Sequence, residues 1–92
     1  MRITEKQLQL LVDRINTACG HPLAAYSGGQ PNALNYHLSF AYGGVSLHQM
    51  GANGGGTRDV FSCGHMPKRN LYDLMSAYLS GLSCVKELTS HD

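Results

Sequence analysis

Two stretches of helical periodicity enclose a middle region, residues 35–69, where short alternating runs are broken by glycine clusters. That order leaves few architectures open. Tyr36, Leu38 and Phe40 alternate with His37, Ser39 and Ala41, the two-residue period of a strand with one apolar face. Tyr42-Gly43-Gly44 can turn the chain straight into a second strand, in which Val45 and Leu47 oppose Ser46 and His48. A bulge in one long strand is the other reading of those glycines; the hairpin is preferred. A connection over residues 51–56 and a third strand from Thr57 to Ser62 follow.

The flanking elements read as helices. Thr4 is a good N-cap, and Gln7 three residues on completes a capping box. Leu8, Leu11, Val12 and Ile15, with Ala18 or Cys19, then form an apolar stripe over residues 4–19 that Gly20 and Pro22 end. Residues 21–33 read as a loop, with Tyr26 expected to anchor it to the core. Pro67 suits the first position of a second helix, on which Leu71, Leu74, Met75, Tyr78 and Leu82 make a stripe. The polar tail from Ser83 to Asp92 is expected to fray, leaving an ordered core over about 3–82 of a single domain, 1–92.

Helix, three strands, helix predicts an α+β fold: a small two-layer sandwich with both helices on one face of a three-stranded antiparallel sheet. The other face would carry His37, Ser39, Ser46 and His48, and Arg58 or Val60. It is too polar for core and too rich in histidine for ordinary surface, so it is the natural seat of a ligand or a partner.

Composition narrows the functional classes. At 92 residues the core is small, and some supplement to its stability is expected. Three widely spaced cysteines (Cys19, Cys63, Cys84) argue against a disulfide framework. Only 14% of residues are charged, so self-association as a homo-oligomer is the expected supplement. A formal charge of +1 is far from that of a non-specific nucleic-acid binder. Neither a signal-peptide core nor a membrane-spanning run is apparent, which predicts a soluble cytoplasmic protein without membrane partners.

Three chemistries compete for the middle region. Cys63 and His65, with His37 and His48, are zinc-type ligands in a spacing that fits no common zinc signature, so no metal or other cofactor is expected. Cys63 lies shortly before a helix but has no evident orienting partner, and it reads as a small buried hydrophobe; no catalytic residue is assigned, and an enzyme is not expected. An anion site has more support. Gly54, Gly55 and Gly56 before Arg58, and Gly64 and His65 before Lys68 and Arg69, could offer backbone amides and charge to a phosphate. Two cations in a first helical turn oppose the helix dipole, and a bound anion would relieve them. The glycine pattern is neither a P-loop nor a dinucleotide fingerprint, which excludes NTP hydrolysis by those devices. The candidate ligand site therefore comprises His37, Tyr42, Gly43, Gly44, His48, Gly54, Gly55, Gly56, Arg58, Gly64, His65, Lys68 and Arg69, with Tyr42 as a stacking plane.

Asn35-Tyr36-His37-Leu38, the run Ala41 to Leu47, Arg58-Asp59-Val60-Phe61, and Gly64-His65 ahead of Lys68-Arg69 together resemble small accessory proteins of tailed phages and prophages. Those share a helix, a Tyr-Gly-Gly strand region and a C-terminal helix entered through a Lys/Arg pair. The resemblance spans Ile3 to Leu82 and implies a setting, the cytoplasm of a phage host, rather than residue roles. It implies an anti-defence protein that sequesters a nucleotide-type signal in an oligomer. The alternative is a protein that blocks a host defence protein or DNA-processing complex through its exposed sheet face.

Overall fold

The computed structural model describes residues 2–52 and 56–89, with side chains through residue 84. Helix α1 (Glu5–Cys19) is followed by a short hairpin, β1 (Tyr26–Ser27) and β2 (Gln30–Pro31). Strands β3 (Tyr36–Ala41), β4 (Gly44–Met50) and β5 (Thr57–Asp59) come next, and then helix α2 (Lys68–Thr89). Strands β3, β4 and β5 form one antiparallel sheet in that order, and both helices pack on one of its faces. This is the expected α+β sandwich.

Local chemistry accounts for the ends of α1. Thr4 Oγ1 accepts from Gln7 N–H, and Gln7 Oε1 accepts from Thr4 N–H at 2.8 Å, so the capping box is complete. At the other end Gly20 sits at φ 73°, its N–H bonded to Thr17 O and that of His21 to Asn16 O, a Schellman stop. Leu8, Leu11, Val12 and Ile15 then meet Leu71 and Met75 of α2 over Tyr36, Val45 and Leu47 of the sheet. Asn16 is fully buried among them. Its side chain accepts from Tyr36 N–H at 2.8 Å and donates to Tyr36 O at 2.9 Å, completing the backbone where β3 meets the helix layer.

The Tyr42-Gly43 turn is a hairpin. Ala41 pairs with Gly44, and Tyr42 and Gly43 take φ of 54° and 74°, the left-handed pair of a two-residue connection. Gly44 is required for a different reason: a Cβ there would lie 3.0 Å from the backbone N and O of Met66. Val45 and Met66 exchange backbone hydrogen bonds at 2.9 Å, so the segment after β5 returns along β4.

Several expectations are corrected. The loop over 21–33 contains the β1–β2 hairpin, turned by Gly28 and Gly29 at positive φ, and Tyr26 is 61% exposed rather than anchored. The third strand ends at Asp59 because that carboxylate accepts from the Phe61 and Gly64 amides and turns the chain away. Helix α2 continues beyond Leu82 to Thr89; only 90–92 of the tail expected to fray lie outside the described residues. Pro67 is not the first helical residue but the N-cap, since its carbonyl accepts from Leu71 N–H at 3.2 Å.

Candidate functional site

The sheet register sorts the candidate residues. His37 pairs with His48, Ser39 with Ser46, and His48 with Asp59, so these share the face away from the helices. Gln49 pairs with Arg58, which places Arg58 on the helix side, and Val60 packs against the core there as well, so neither joins the polar face on which one of them was expected. There its Nε and Nη2 both donate to Gln49 Oε1, at 3.0 and 2.6 Å. Arg58 and Gly56 border a separate hollow of about 290 Å³ with Leu34 and Met50, at the far end of the sheet from Tyr42. They do not join the other candidates. Gly54 and Gly55 lie outside the described residues.

The face expected to be open is partly roofed by the chain itself. The segment after Asp59 brings His65 over the sheet, where its Nε2 lies 3.1 Å from Ser39 Oγ. His37, His48 and His65 stand in a row, with ring centroids 6.0 and 5.9 Å apart, and Tyr42 meets His65 edge-on at 5.9 Å. Ser46 is fully buried beneath them, and its Oγ makes no hydrogen bond among the described residues. It is nevertheless near enough to Asp59 to favour that carboxylate's charge. Burial holds the His37 pKa below its ordinary value, and the neighbouring His48 lowers it further; the Asn35 carbonyl opposes both. Partial burial works against ionisation of Asp59, but the Gly64 amide, Ser46 and the Phe61 amide outweigh it and depress its pKa. The Gly64 amide is thus engaged by Asp59 and is not the free donor expected of it.

Ser39 and His65 form a hydroxyl–imidazole pair of the kind that begins a nucleophilic site. No orienting carboxylate accepts from His65 Nδ1 among the described residues, so the pair is not completed as a triad. Nor do the described residues contain a group of three His, Cys, Asp or Glu side chains disposed to hold a metal ion. Cys63 is exposed rather than buried, with its thiol donating to Phe61 O.

The anion-binding features converge at the hairpin end. A cleft of about 380 Å³ opens between Phe40, Gly43 and Gly44 of the hairpin, Glu5 at the start of α1 and Lys68 at the start of α2. Because proline is the N-cap, α2 has no side chain to close its first turn. Neither the Lys68 nor the Arg69 N–H makes a hydrogen bond among the described residues. That turn contains no acidic residue. Arg69 leans to Asp73 at 3.8 Å, an exposed pair of little energetic weight. Tyr42, at the hairpin tip, is 98% exposed, and Phe40 is 51% exposed.

Of the thirteen candidates, Gly43, Gly44 and Lys68 thus line the cleft, while Tyr42 at the hairpin tip stands against His65, with His48 and His37 leading away along the polar face. Sequence reasoning missed Glu5, Phe40 and Asp59. Glu5 and Phe40 belong to patterns that read as helix start and core strand; only their place at the ends of those elements hints at exposure. Asp59 had a local signal, an acidic residue ahead of Ser62-Cys63-Gly64. No helix among the described residues is long and apolar enough to cross a membrane. Neither a family model, nor a curated protein, nor a solved structure matches this chain.

Proposed function

We propose that this protein is a non-enzymatic binding protein that takes a small nucleotide-type ligand in the cleft between the glycine hairpin and the start of α2. The observation that carries the reading is the uncapped first turn of α2, whose two unbonded amides stand with Lys68 at the cleft, while Tyr42 is exposed at the hairpin tip. Helix N-termini favour phosphate through those amides and the helix dipole. Glu5 disfavours a phosphate next to itself but suits a ribose hydroxyl, as carboxylates do in dinucleotide sites. Tyr42 and Phe40 offer planes on which a base stacks. In the phage setting implied by the resemblance, the ligand would be a nucleotide signal of host defence, held out of circulation.

The test is thermal stability against a panel of inorganic phosphate, nucleoside mono- and diphosphates and cyclic dinucleotides. A ligand at a hundredfold its dissociation constant stabilises the fold by about 2.7 kcal/mol, which for a domain of this size is a rise of about 10–20 °C. Lys68→Glu and Tyr42→Ala should each reduce the rise while leaving the unliganded melting temperature within a few degrees. A panel that leaves the melting temperature unmoved argues against the reading. The exposed Phe40 and Tyr42 equally favour a protein partner, so the blocking of a host protein is the second reading; under it, Tyr42→Ala abolishes function and no nucleotide shifts stability.

A further inference from the structure

The outer edge of β3 is an unfinished piece of sheet. Strand β3 lies at the edge of the order β3-β4-β5. In a two-residue hairpin closed by Ala41 and Gly44, residues 37, 39 and 41 exchange hydrogen bonds with β4, while residues 36, 38 and 40 turn their backbone groups outward. The bonds of Asn16 to Tyr36 N–H and O confirm that phase, because they reach Tyr36 from outside the ladder. Asn16 therefore blocks one end of the edge. At Leu38 and Phe40 nothing does: no hydrogen bond among the described residues occupies their outward N–H and C=O groups. The strand also lacks the usual defences of a free edge. Tyr36–Ala41 contains no charge, no proline and no bulge.

We propose that a second copy of this chain completes the edge, β3 against β3, antiparallel about a two-fold axis at Ser39. The exposed donors and acceptors are self-complementary in that register. Leu38 N–H and O bond to Phe40 O and N–H of the second copy, and the reverse pair follows from symmetry, giving four hydrogen bonds in a continuous six-stranded sheet. Tyr36, already satisfied by Asn16, is not needed, so the pairing uses the two residues left open. On the helix side, Phe40 of each copy covers Leu38 of the other, which removes an exposed aromatic from water. Phe40 also lines the cleft described above, so the second copy closes one wall of it. On the other face, Ser39 meets Ser39 of the second copy, and the two Ser39–His65 pairs become neighbours. The pairing stands whatever the cleft holds.

The register makes a crosslinking test specific. Ser39 and its symmetry mate form a non-hydrogen-bonded pair with Cα atoms about 4.5 Å apart, inside the range of about 4.4–6.8 Å that a disulfide spans. With the exposed Cys63 and Cys84 replaced by serine, Ser39→Cys should give an oxidised dimer whose linked peptide joins residue 39 to residue 39 in mass spectra. Ala41→Cys should not link, because it falls four residues out of register with itself, ~13 Å away. In parallel, sedimentation of the full chain at micromolar concentration should show twice the 10.0 kDa chain mass. Phe40→Pro deletes an outward N–H without touching the β4 ladder, and should raise the dimer dissociation constant by at least about tenfold. Phe40→Lys, an edge charge, should do the same and serves if the proline variant fails to fold. A wild-type monomer, an assembly undiminished in a folded Phe40 variant, or linkage through Ala41→Cys but not Ser39→Cys would each overturn the proposal.

Discussion

Asn16→Ala tests how the helix layer is keyed to the sheet. Asn16 is fully buried and holds both backbone groups of Tyr36, itself only 4% exposed. The substitution leaves one N–H and one C=O without partners in the core. Each buried unsatisfied group costs about 1–3 kcal/mol, so the loss should be about 2–5 kcal/mol after alanine's small helix-propensity gain. A chain of this length has about 5–14 kcal/mol in all, so the variant should melt ~10–30 °C lower. Water admitted into the space left behind would bring the loss to the lower end. Urea unfolding followed by circular dichroism measures it, with hydrogen exchange at the Tyr36 amide as a local report. Thr17→Ala is the control: its hydroxyl donates to Asp13 O on the exposed side of the same helix, and its removal should cost within about 0.5 kcal/mol. A folded Asn16→Ala that loses under about 1 kcal/mol, or a Thr17→Ala that loses as much, would refute the reasoning.

Other expectations follow from the same geometry. Tyr42→Gly should stabilise the unliganded protein slightly, by up to about 1 kcal/mol, because it relieves a non-glycine φ of 54°; denaturant melts check it. Gly44→Ala should destabilise, since its Cβ meets the Met66 backbone at 3.0 Å, and the Val45–Met66 amides should exchange faster. The depressed His37 pKa gives a pH slope of definite sign. The unfolded chain binds the proton more tightly, so the stability is fully present above 6.5 and is lost as pH falls below it; His37→Gln should flatten the melting profile there. Asp59 acts in the same direction at lower pH: its stabilisation is present above the ordinary 3.8 and lost as pH falls through its depressed value, and Asp59→Asn should remove that acid limb.

What was legible in the sequence follows from the range of the interactions. The ends of α1 were readable because the capping box and the Schellman glycine act within a few residues. The alternation in Tyr36–Ala41 and the paired glycines gave the hairpin for the same reason. The end of α2 was not, because Gly81 and the polar residues after it weaken a helix locally, and propensity there is overridden in the folded chain. His48 was placed correctly by the alternation in its own strand, but the face Arg58 occupied depended on the β4–β5 register, set by pairing between strands rather than by a local pattern. Grouping Arg58 with Lys68 and Arg69 as one cluster of charge therefore failed: Arg58 faces Gln49 at the opposite end of the sheet. Lys68 and the glycine turn came together because Val45 and Met66 pair, a contact no local pattern announces.

Small molecules released when the purified protein is denatured, identified by mass spectrometry, bear most directly on the proposed binding function. The protein should be purified from phage-infected host cells beside Lys68→Glu prepared in the same way. The account predicts a nucleotide-type compound in substoichiometric to equimolar amount from the wild type, and little or none from the folded variant. No phosphate-bearing compound from either protein, or equal amounts from both, would contradict it.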